Sequence, residues 1–157
     1  MDKKLSVKES QNGLGVVAQI PFKAGQIVTE ITGNIVHWRT LQKIGGVILD
    51  NTYRFDDEHY LSPDGIGNYV NHSCDPNSGI IKKNNRLFLK AIRPIKKREE
   101  VVFDYSTIVG ADDIWTMKCE CGSKHCRKKV TAFYKLPSDI RSRYLEMQIV
   151  PKHILNS

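Results

Sequence analysis

The most unusual segment of this chain reads Gly67-Asn68-Tyr69-Val70-Asn71-His72-Ser73-Cys74-Asp75-Pro76-Asn77. Its Asn, His and Ser side chains supply a dense set of hydrogen-bond donors and acceptors, and the final Asp-Pro-Asn is typical of a turn. A solvated loop would account for the polarity. It would not explain why a cysteine lies in the middle of the segment, so we treat this region as a candidate functional site.

The other three cysteines lie together as Cys119-Glu-Cys121-Gly-Ser-Lys-His-Cys126. Nothing in the sequence points to export, and in a reducing compartment such a cluster more often holds a metal than a disulfide. The three thiolates leave structural zinc one ligand short of four. His125 could complete the site locally, and Cys74 could complete it through space. Four thiols with packing roles are the alternative.

The composition is that of an ordinary globular chain, with 157 residues, 40% hydrophobic and 26% charged, which is enough for one domain with a small appendage. No apolar run approaches the roughly 20 residues of a membrane span, and Met1–Lys8 lacks the apolar core of a signal peptide. We therefore expect an intracellular protein without a membrane partner, cytoplasmic or nuclear depending on the host.

The net charge of +7 is concentrated in the second half of the chain. Residues 1–80 contain 7 basic and 9 acidic side chains, whereas residues 81–157 contain 17 basic and 8 acidic ones. A basic half can bind nucleic acid by releasing counterions, and a solvated basic surface explains the charge as well. Nucleic-acid contact is therefore possible but not required.

Short β-branched runs separated by turn residues predict a mostly β (α+β) domain. Residues 1–10 are polar and are expected to fray. Strands are predicted at Val16–Ile20, Gln26–Ile31, Thr52–Phe55, Ile80–Lys82, Leu87–Ala91 and Val101–Tyr105. Asn84-Asn85 has the chemistry of a hairpin turn, because Asn tolerates positive φ. Residues 37–50 are ambiguous, and Gly45-Gly46 argues against a long helix there.

One helix is predicted near the C-terminus. Ile140, Tyr144 and Met147 share one helical face, Ser138 or Asp139 can cap the helix, and Pro151 would stop it.

Three separated motifs together resemble the SET-domain lysine methyltransferases with a post-SET zinc segment. They are Asn71-His72-Ser73-Cys74-Asp75-Pro76-Asn77, Phe103-Asp104-Tyr105 and Cys119-x-Cys121-Gly122-x3-Cys126-Arg127. The turn Gly13-Leu14-Gly15 and the stretch that follows it are similar as well, so the resemblance covers about residues 8–130. It implies several small sheets with a knot-like core. The expected division is a SET domain at 1–114, a post-SET zinc segment at 115–130 and a C-terminal helical extension at 131–157.

The resemblance also implies roles for individual residues. In the family the Gly-x-Gly turn and the Asn-His pair line the S-adenosylmethionine pocket, which here means Gly13, Leu14, Gly15, Asn71 and His72. Tyr105 would face both cofactor and methyl-transfer site, with Tyr53 of Tyr53-Arg54-Phe55-Asp56 as a second channel tyrosine. Phe103 would favour di- or trimethylation over monomethylation. One structural zinc ion would be held by Cys74, Cys119, Cys121 and Cys126, which uses all four cysteines.

The implied function is methylation of a protein lysine by S-adenosylmethionine. An apolar tyrosine-lined channel suits this chemistry, because it favours the neutral amine that must attack the methyl group. The substrate would be a histone tail or another basic protein, which Asp56-Asp57-Glu58 could select unless they form a solvated turn. Two alternatives from other classes are a catalytically silent SET-like module that binds protein or nucleic acid, and a zinc-dependent nucleic-acid binder.

Four departures from the family pattern stand out. Asn68 occupies a position that is commonly Arg, and Arg98 replaces the usual Gly in the turn before Glu99. The chain also lacks a cysteine-rich pre-SET region and has a short insert before Tyr53. Pairing into a homodimer, or use of the C-terminal helix, could compensate for the missing substrate-gripping elements.

Overall fold

The structure is a computed structural model that describes residues 3–44 and 50–157. Within these ranges the chain forms short strands: β1 (Leu5–Ser10), β2 (Gly13–Ala18), β3 (Ile27–Ile31), β4 (Gly33–His37), β5 (Tyr53–Arg54), β6 (His59–Pro63), β7 (Asn71–His72), β8 (Ser78–Lys83), β9 (Arg86–Ala91), β10 (Val102–Phe103), β11 (Met117–Lys118) and β12 (Lys129–Val130). The α-helices are α1 (Trp38–Ile44), α2 (Ser138–Glu146) and α3 (Lys152–Leu155). Single 3-10 turns lie at Gly65–Tyr69, Tyr105–Ile108 and Phe133–Lys135.

The strands form several small sheets, as expected from so many turn residues. Antiparallel pairs join β1 to β2 and β11 to β12, and three-stranded sheets have the orders β3-β9-β8 and β4-β6-β5. The pair β7 and β10 is parallel, with Asn71 opposite Val102 and His72 opposite Phe103. This parallel pair brings two of the sequence motifs side by side. The prediction of a mostly β fold of small sheets is confirmed.

The N-terminal segment differs from expectation. Residues 5–10 do not fray but form β1, which pairs with β2 from Leu5 opposite Ala18 to Ser10 opposite Gly13. Leu5 is buried in the main core, while the rest of the strand is largely solvent-facing. The polar composition reflects an edge strand with one exposed face, and the strands β4 and β6 were likewise not predicted.

The hairpin prediction at residues 84–85 is confirmed. Lys83 pairs with Arg86, and the two intervening residues, Asn84 and Asn85, have φ values of 50° and 57°. Two positive φ angles in a two-residue loop match the twist of the flanking strands.

The predicted strand Val101–Tyr105 is shorter than expected. It ends at Phe103, because the Asp104 side chain accepts a 3.0 Å hydrogen bond from the Ser106 N–H and starts a 3-10 turn. Tyr105 therefore opens that turn instead of closing the strand.

The C-terminal helix is present as α2, but its predicted ends are wrong. Pro137 occupies the N-cap position, and no side chain caps the helix. The helix stops at Glu146, and Pro151 precedes the short helix α3 instead of ending α2. Proline fits the start of a helix, because its fixed φ suits the first turn and its missing N–H is not needed there.

The region at residues 37–50, which is ambiguous in the sequence, is helical in part. In the ambiguous region, α1 covers Trp38–Ile44, and Gly45-Gly46 lies outside the described residues. Across the described ranges, none of the helices has the length and apolar character needed to cross a membrane.

Candidate active site and metal centre

The Gly-x-Gly turn and the Asn-His pair, which are far apart in the sequence, are in contact. Asn71 Nδ2 donates to the Leu14 carbonyl at 3.0 Å and to Glu100 Oε1 at 2.8 Å. A Cβ on Gly15 would lie 2.2 Å from the same Glu100 oxygen and 3.0 Å from Asn71 Nδ2. The absence of a side chain at Gly15 thus allows strand β2 to approach Asn71. Glu100 is a member of this site that the sequence analysis missed.

His72 connects the two ends of the site. Its Nδ1 accepts a 3.1 Å hydrogen bond from the Tyr105 N–H, so the proton of the neutral ring resides on Nε2, which lies 3.3 Å from Cys74 Sγ. Burial lowers the pKa of His72 to about 4, which keeps the ring neutral near pH 7. The imidazole is therefore held in one tautomer between Tyr105 and the thiol cluster.

Three aromatic rings form one wall. The Phe103 ring centroid lies 5.7 Å from that of Tyr53 and 4.9 Å from that of Tyr105. The Tyr53 hydroxyl donates to the Gly67 carbonyl and the Tyr105 hydroxyl to the Val70 carbonyl, both at 2.8 Å. Burial raises the pKa of Tyr105 to about 12 and that of Tyr53 well above its usual value. Both hydroxyls therefore keep their protons at neutral pH.

Two cavities meet at Tyr105. One is lined by the aromatic wall together with Val70, Ile108, Trp115 and the carboxylates of Asp50 and Asp113. The other is lined by the backbone and side chains of Asn12, Asn71, His72, Met117 and residues 118–121. Tyr105 lines both. Tyr105 is thus the residue that the two cavities have in common.

The four cysteines form one cluster, in which Cys119 is central. Its Sγ lies 3.7 Å from the Sγ of Cys74 and 3.7 Å from that of Cys126, and Cys121 belongs to the same packed group. Four sulfurs each about 2.3 Å from a zinc ion would lie about 3.8 Å apart, and the two Sγ–Sγ distances to Cys119 match this spacing. Burial raises the pKa of Cys74 to about 11, and metal binding would have to displace this proton.

The histidine that contacts the cysteine cluster is His72, not His125, which the local spacing in the sequence suggests. One ring nitrogen of His72 and the Sγ atoms of Cys74, Cys119 and Cys121 all lie within 4.8 Å of one another, in a group that does not include Cys126. His125, the local alternative, is exposed. Because Cys74 comes from 45 residues away, the geometry disfavours a self-contained zinc knuckle.

The structure adds charged residues that the sequence analysis did not assign. Arg127 Nη2 lies 2.7 Å from Asp104 Oδ2, while its Nε and Nη1 are buried without a hydrogen-bond partner. Arg54 is 2% exposed and pairs with both Asp112 and Asp113. The sequence could have pointed to Arg127 through its position directly after Cys126 in the cysteine motif. No pattern in the sequence pointed to Arg54.

The acidic run after Tyr53 occupies a different place from the aromatic cavity. Asp56 Oδ1 accepts hydrogen bonds from the Glu58 and His59 N–H groups at 2.9 and 2.7 Å, and the side chain lines a third cavity beside Lys82. This geometry is that of a turn.

Comparison with known proteins identifies the family. The family model of the SET domain matches residues 13–106. The chain is 33% identical over 145 residues to the histone-lysine N-methyltransferase Su(var)3-9 of Drosophila pseudoobscura pseudoobscura, covering 74% of this chain and 23% of that protein. It is 30% identical over 146 residues to the histone-lysine N-methyltransferase ASHH3 of Arabidopsis thaliana, covering 82% and 38%. The chain thus spans well under half the length of these relatives.

A solved structure supports the fold. KRYPTONITE in complex with mCHG DNA and SAH has a TM-score of 0.65 and 22% identity, covering 81% of this chain and 29% of that one. Since the family model covers more than half of the residues and includes the Gly-x-Gly turn, the Asn-His pair and Tyr105, this chain belongs to the SET-domain family.

Proposed function

We propose that this protein transfers a methyl group from S-adenosylmethionine to the side-chain amine of a protein lysine. The observation that carries the proposal is the position of Tyr105 between an aromatic cavity and a polar one. Methyl transfer to an amine is an in-line displacement, so it requires two reactants held end to end in a dry site. Two cavities that share Tyr105 as a lining residue support such an arrangement.

The polar cavity is the proposed cofactor site. Gly13, Leu14 and Gly15 would contribute backbone groups, and Asn71 and His72 would line the opposite side. When bound, S-adenosylmethionine supplies an electrophilic methyl group. Asn71 and His72 line this cavity together with Asn12, the residue before the Gly-x-Gly turn. The turn itself is not part of the lining, but the hydrogen bond from Asn71 to the Leu14 carbonyl supports its assignment to the same site.

The aromatic cavity is the proposed lysine channel. Its rings exclude water, which disfavours the charged ammonium and lowers the pKa of a lysine inside it. Each tyrosine hydroxyl already donates its single proton to a carbonyl. Its oxygen can therefore only accept a hydrogen bond from the amine, which leaves the nitrogen lone pair free to attack. Tyr53 and Tyr105 would orient the amine without acting as bases.

The substrate is proposed to be a lysine in a basic protein, such as a histone. The relatives named above are histone-lysine methyltransferases. Asp50 and Asp113 line the aromatic cavity together with Arg54. Because Arg54 pairs with Asp113, Asp50 is the carboxylate that would favour entry of a cationic side chain. Phe103, the third ring of the aromatic wall, has no hydroxyl to hold a water molecule, and this supports a di- or trimethylated product.

The zinc site is proposed to order the wall of both cavities. The donor set of Cys74, Cys119, Cys121 and Cys126 has the chemistry of a structural zinc site with four thiolates. Met117 and Cys119 line the polar cavity, and Trp115, just before them, lines the aromatic one. Ordering this segment would therefore close both.

The test is transfer of labelled methyl from S-adenosylmethionine to a panel of basic proteins that includes core histones. Wild type is expected to label at least one of them. Tyr105→Phe is expected to lose about 100-fold in rate, since it removes a preorganised polar group from a buried site, and to retain cofactor binding. Tyr69→Phe, at a side chain that is 37% exposed, is the matched control and should retain activity.

Two results would contradict the proposal. Absence of S-adenosylmethionine binding by calorimetry would favour the silent SET-like module instead. Full activity in Tyr105→Phe would remove the role assigned to the hydroxyl.

A further inference from the structure

Residues 131–157, the C-terminal extension, lie outside the range matched by the SET-domain family model. The extension is anchored by its own apolar cluster of Phe133, Leu136, Tyr144, Ile149 and Ile154. It also makes polar contacts with the rest of the chain. These contacts reach the immediate sequence neighbour of each channel tyrosine.

We propose that this extension is a positioning element of the methyl-transfer site, in which Tyr144 acts through Asp104 on Tyr105 and His153 acts through Arg54 on Tyr53. The inference rests on the proposed function and assigns part of the site to a segment outside the family match.

The first contact is fully buried. The Tyr144 hydroxyl donates to Asp104 Oδ2 at 2.9 Å, and the two residues are 0% and 1% exposed. Asp104 Oδ1 accepts the Ser106 N–H at 3.0 Å, which fixes the 3-10 turn that begins with Tyr105. Because Asp104 directly precedes Tyr105, the orientation of this carboxylate sets where the turn starts and where the ring points.

The same carboxylate joins the extension to the thiol cluster. Arg127 Nη2 contacts both oxygens of Asp104, at 2.9 and 2.7 Å, and the Arg127 N–H lies 3.4 Å from Cys74 Sγ. Tyr144 shares Oδ2 with this guanidinium. Without the Tyr144 hydroxyl, Arg127 would be the remaining side-chain partner of Oδ2, and the orientation of the carboxylate would be less firmly fixed.

The second contact is made to Arg54, the residue that follows Tyr53. His153 Nε2 is 2.9 Å from the Arg54 carbonyl, so the neutral ring must donate from this nitrogen. Burial lowers the pKa of His153 below its ordinary value, which favours this neutral form. The buried Arg54 guanidinium in turn pairs with Asp113, a residue that lines the aromatic cavity.

A third polar contact of the extension involves Ser157. Ser157 Oγ accepts the Ala111 N–H at 2.8 Å, next to the Asp112–Asp113 pair that Arg54 holds. An apolar cluster alone would be enough to attach the extension. Some of its polar contacts reach other parts of the chain, such as that between Lys90 Nζ and the Met147 carbonyl. The contacts of Tyr144 and His153, however, meet the two segments that carry the channel tyrosines, and misplacement of a reacting group by about 1 Å can cost 100-fold in rate.

The experiment compares kcat and KM, at saturating S-adenosylmethionine, for wild type, Tyr144→Phe, His153→Leu and His153→Gln. Tyr144→Phe and His153→Leu are each expected to lower kcat about tenfold with little change in the KM for the protein substrate. His153→Gln keeps a donor and should restore most of kcat. Tyr134→Phe, at a half-exposed tyrosine of the same extension, is the matched control and should behave as wild type.

Amide hydrogen exchange supplies a readout that does not need activity. Exchange in a peptide covering residues 104–108 is expected to accelerate in Tyr144→Phe and to stay unchanged in Tyr134→Phe. If wild type transfers no methyl group, the proposed function fails, and exchange still tests whether Tyr144 fixes the turn that begins with Tyr105. Unchanged exchange at residues 104–108 overturns it, and so does an unchanged kcat in an active enzyme.

Discussion

The backbone N–H of Tyr105 donates a 3.1 Å hydrogen bond to Nδ1 of His72, although 33 residues separate them. The opposite nitrogen of the same ring faces Cys74 Sγ at 3.3 Å. One neutral imidazole therefore spans from the proposed methyl-transfer tyrosine to the thiol cluster. Groups that hydrogen-bond to a metal ligand orient it, and here the group beside the Cys74 thiol belongs to the Asn-His pair that lines the polar cavity.

The size of the lysine channel should control the product. Phe103 is 1% exposed and its ring packs between Tyr53 and Tyr105, so Phe103→Tyr would add a hydroxyl, and the water that it binds, to a closed space. We expect the product to shift from di- or trimethyl-lysine towards monomethyl-lysine, as measured by mass spectrometry of the modified substrate. Phe88→Tyr, on strand β9 outside the channel, is the control. An unchanged product distribution in Phe103→Tyr would count against the role of Phe103.

Loss of one thiolate should remove zinc and activity but leave the main core folded. Cys126 lies in a cluster with the other cysteines that is separate from the main core and shares Tyr105 with it. For Cys126→Ser we expect zinc content near zero, at least tenfold lower activity and a nearly unchanged far-ultraviolet circular dichroism spectrum. His125→Gln, at an exposed neighbour, should keep its zinc. Full zinc occupancy in Cys126→Ser would exclude Cys126 as a ligand.

Stability should decrease with acid partly through His153. Burial lowers the pKa of this imidazole in the folded state below its ordinary value of 6.5, so below that pH the unfolded chain binds more protons than the folded one. The contribution of His153 to stability is therefore complete above about pH 6.5 and is lost as the pH falls through the folded pKa.

The matched variant for this prediction is His153→Gln, which keeps a donor for the Arg54 carbonyl but does not titrate. Urea unfolding at neutral and at mildly acidic pH should show a smaller acid-induced loss of stability in His153→Gln than in wild type. Equal losses in the two proteins would show that His153 does not contribute.

Arg98 should be a point of backbone strain. It occupies the turn position that is usually Gly in the family, and its φ is 70°, in the left-handed region that costs an L-residue about 1–2 kcal/mol. Glycine would relieve this cost but lose about 0.5–1 kcal/mol through its flexible unfolded state. We expect Arg98→Gly to raise the unfolding free energy by roughly 0.5 kcal/mol.

The control for the turn is Lys97→Gly, because Lys97 is not among the residues with positive φ. This variant should lower the unfolding free energy instead of raising it. Thermal unfolding followed by circular dichroism measures both changes. Destabilisation by Arg98→Gly would show that the Arg98 side chain makes a compensating contribution.

The fold was predictable where the residues of a short segment determine the conformation of that segment. The turn at Asn84-Asn85 follows from the tolerance of Asn for positive φ, and the short strands follow from β-branched runs between turn residues. The prediction failed where a neighbour decides the outcome. The edge strand β1 is polar and needs β2 to form, and the position of Tyr105 depends on the side chain of Asp104 accepting a hydrogen bond from Ser106.

The chemistry of the candidate site was determined by the sequence alone. The Asn-His pair, the Gly-x-Gly turn and the clustered cysteines are visible as residue types and spacings. The zinc ligands and the channel tyrosines were implied by the resemblance to one family, which did not require coordinates. Such features are local, because a side chain carries its ligand atoms and a glycine its backbone freedom wherever the chain folds.

Only the tertiary structure decided which of these groups meet. It chose Cys74 over His125 for the thiol cluster, placed His72 between Cys74 and Tyr105, put Tyr105 at the junction of two cavities, and brought Tyr144 to Asp104 over 40 residues. The physical reason is that these contacts join segments from distant parts of the chain, and their geometry arises from the packing of several small sheets, which the residue pattern of any one segment does not specify.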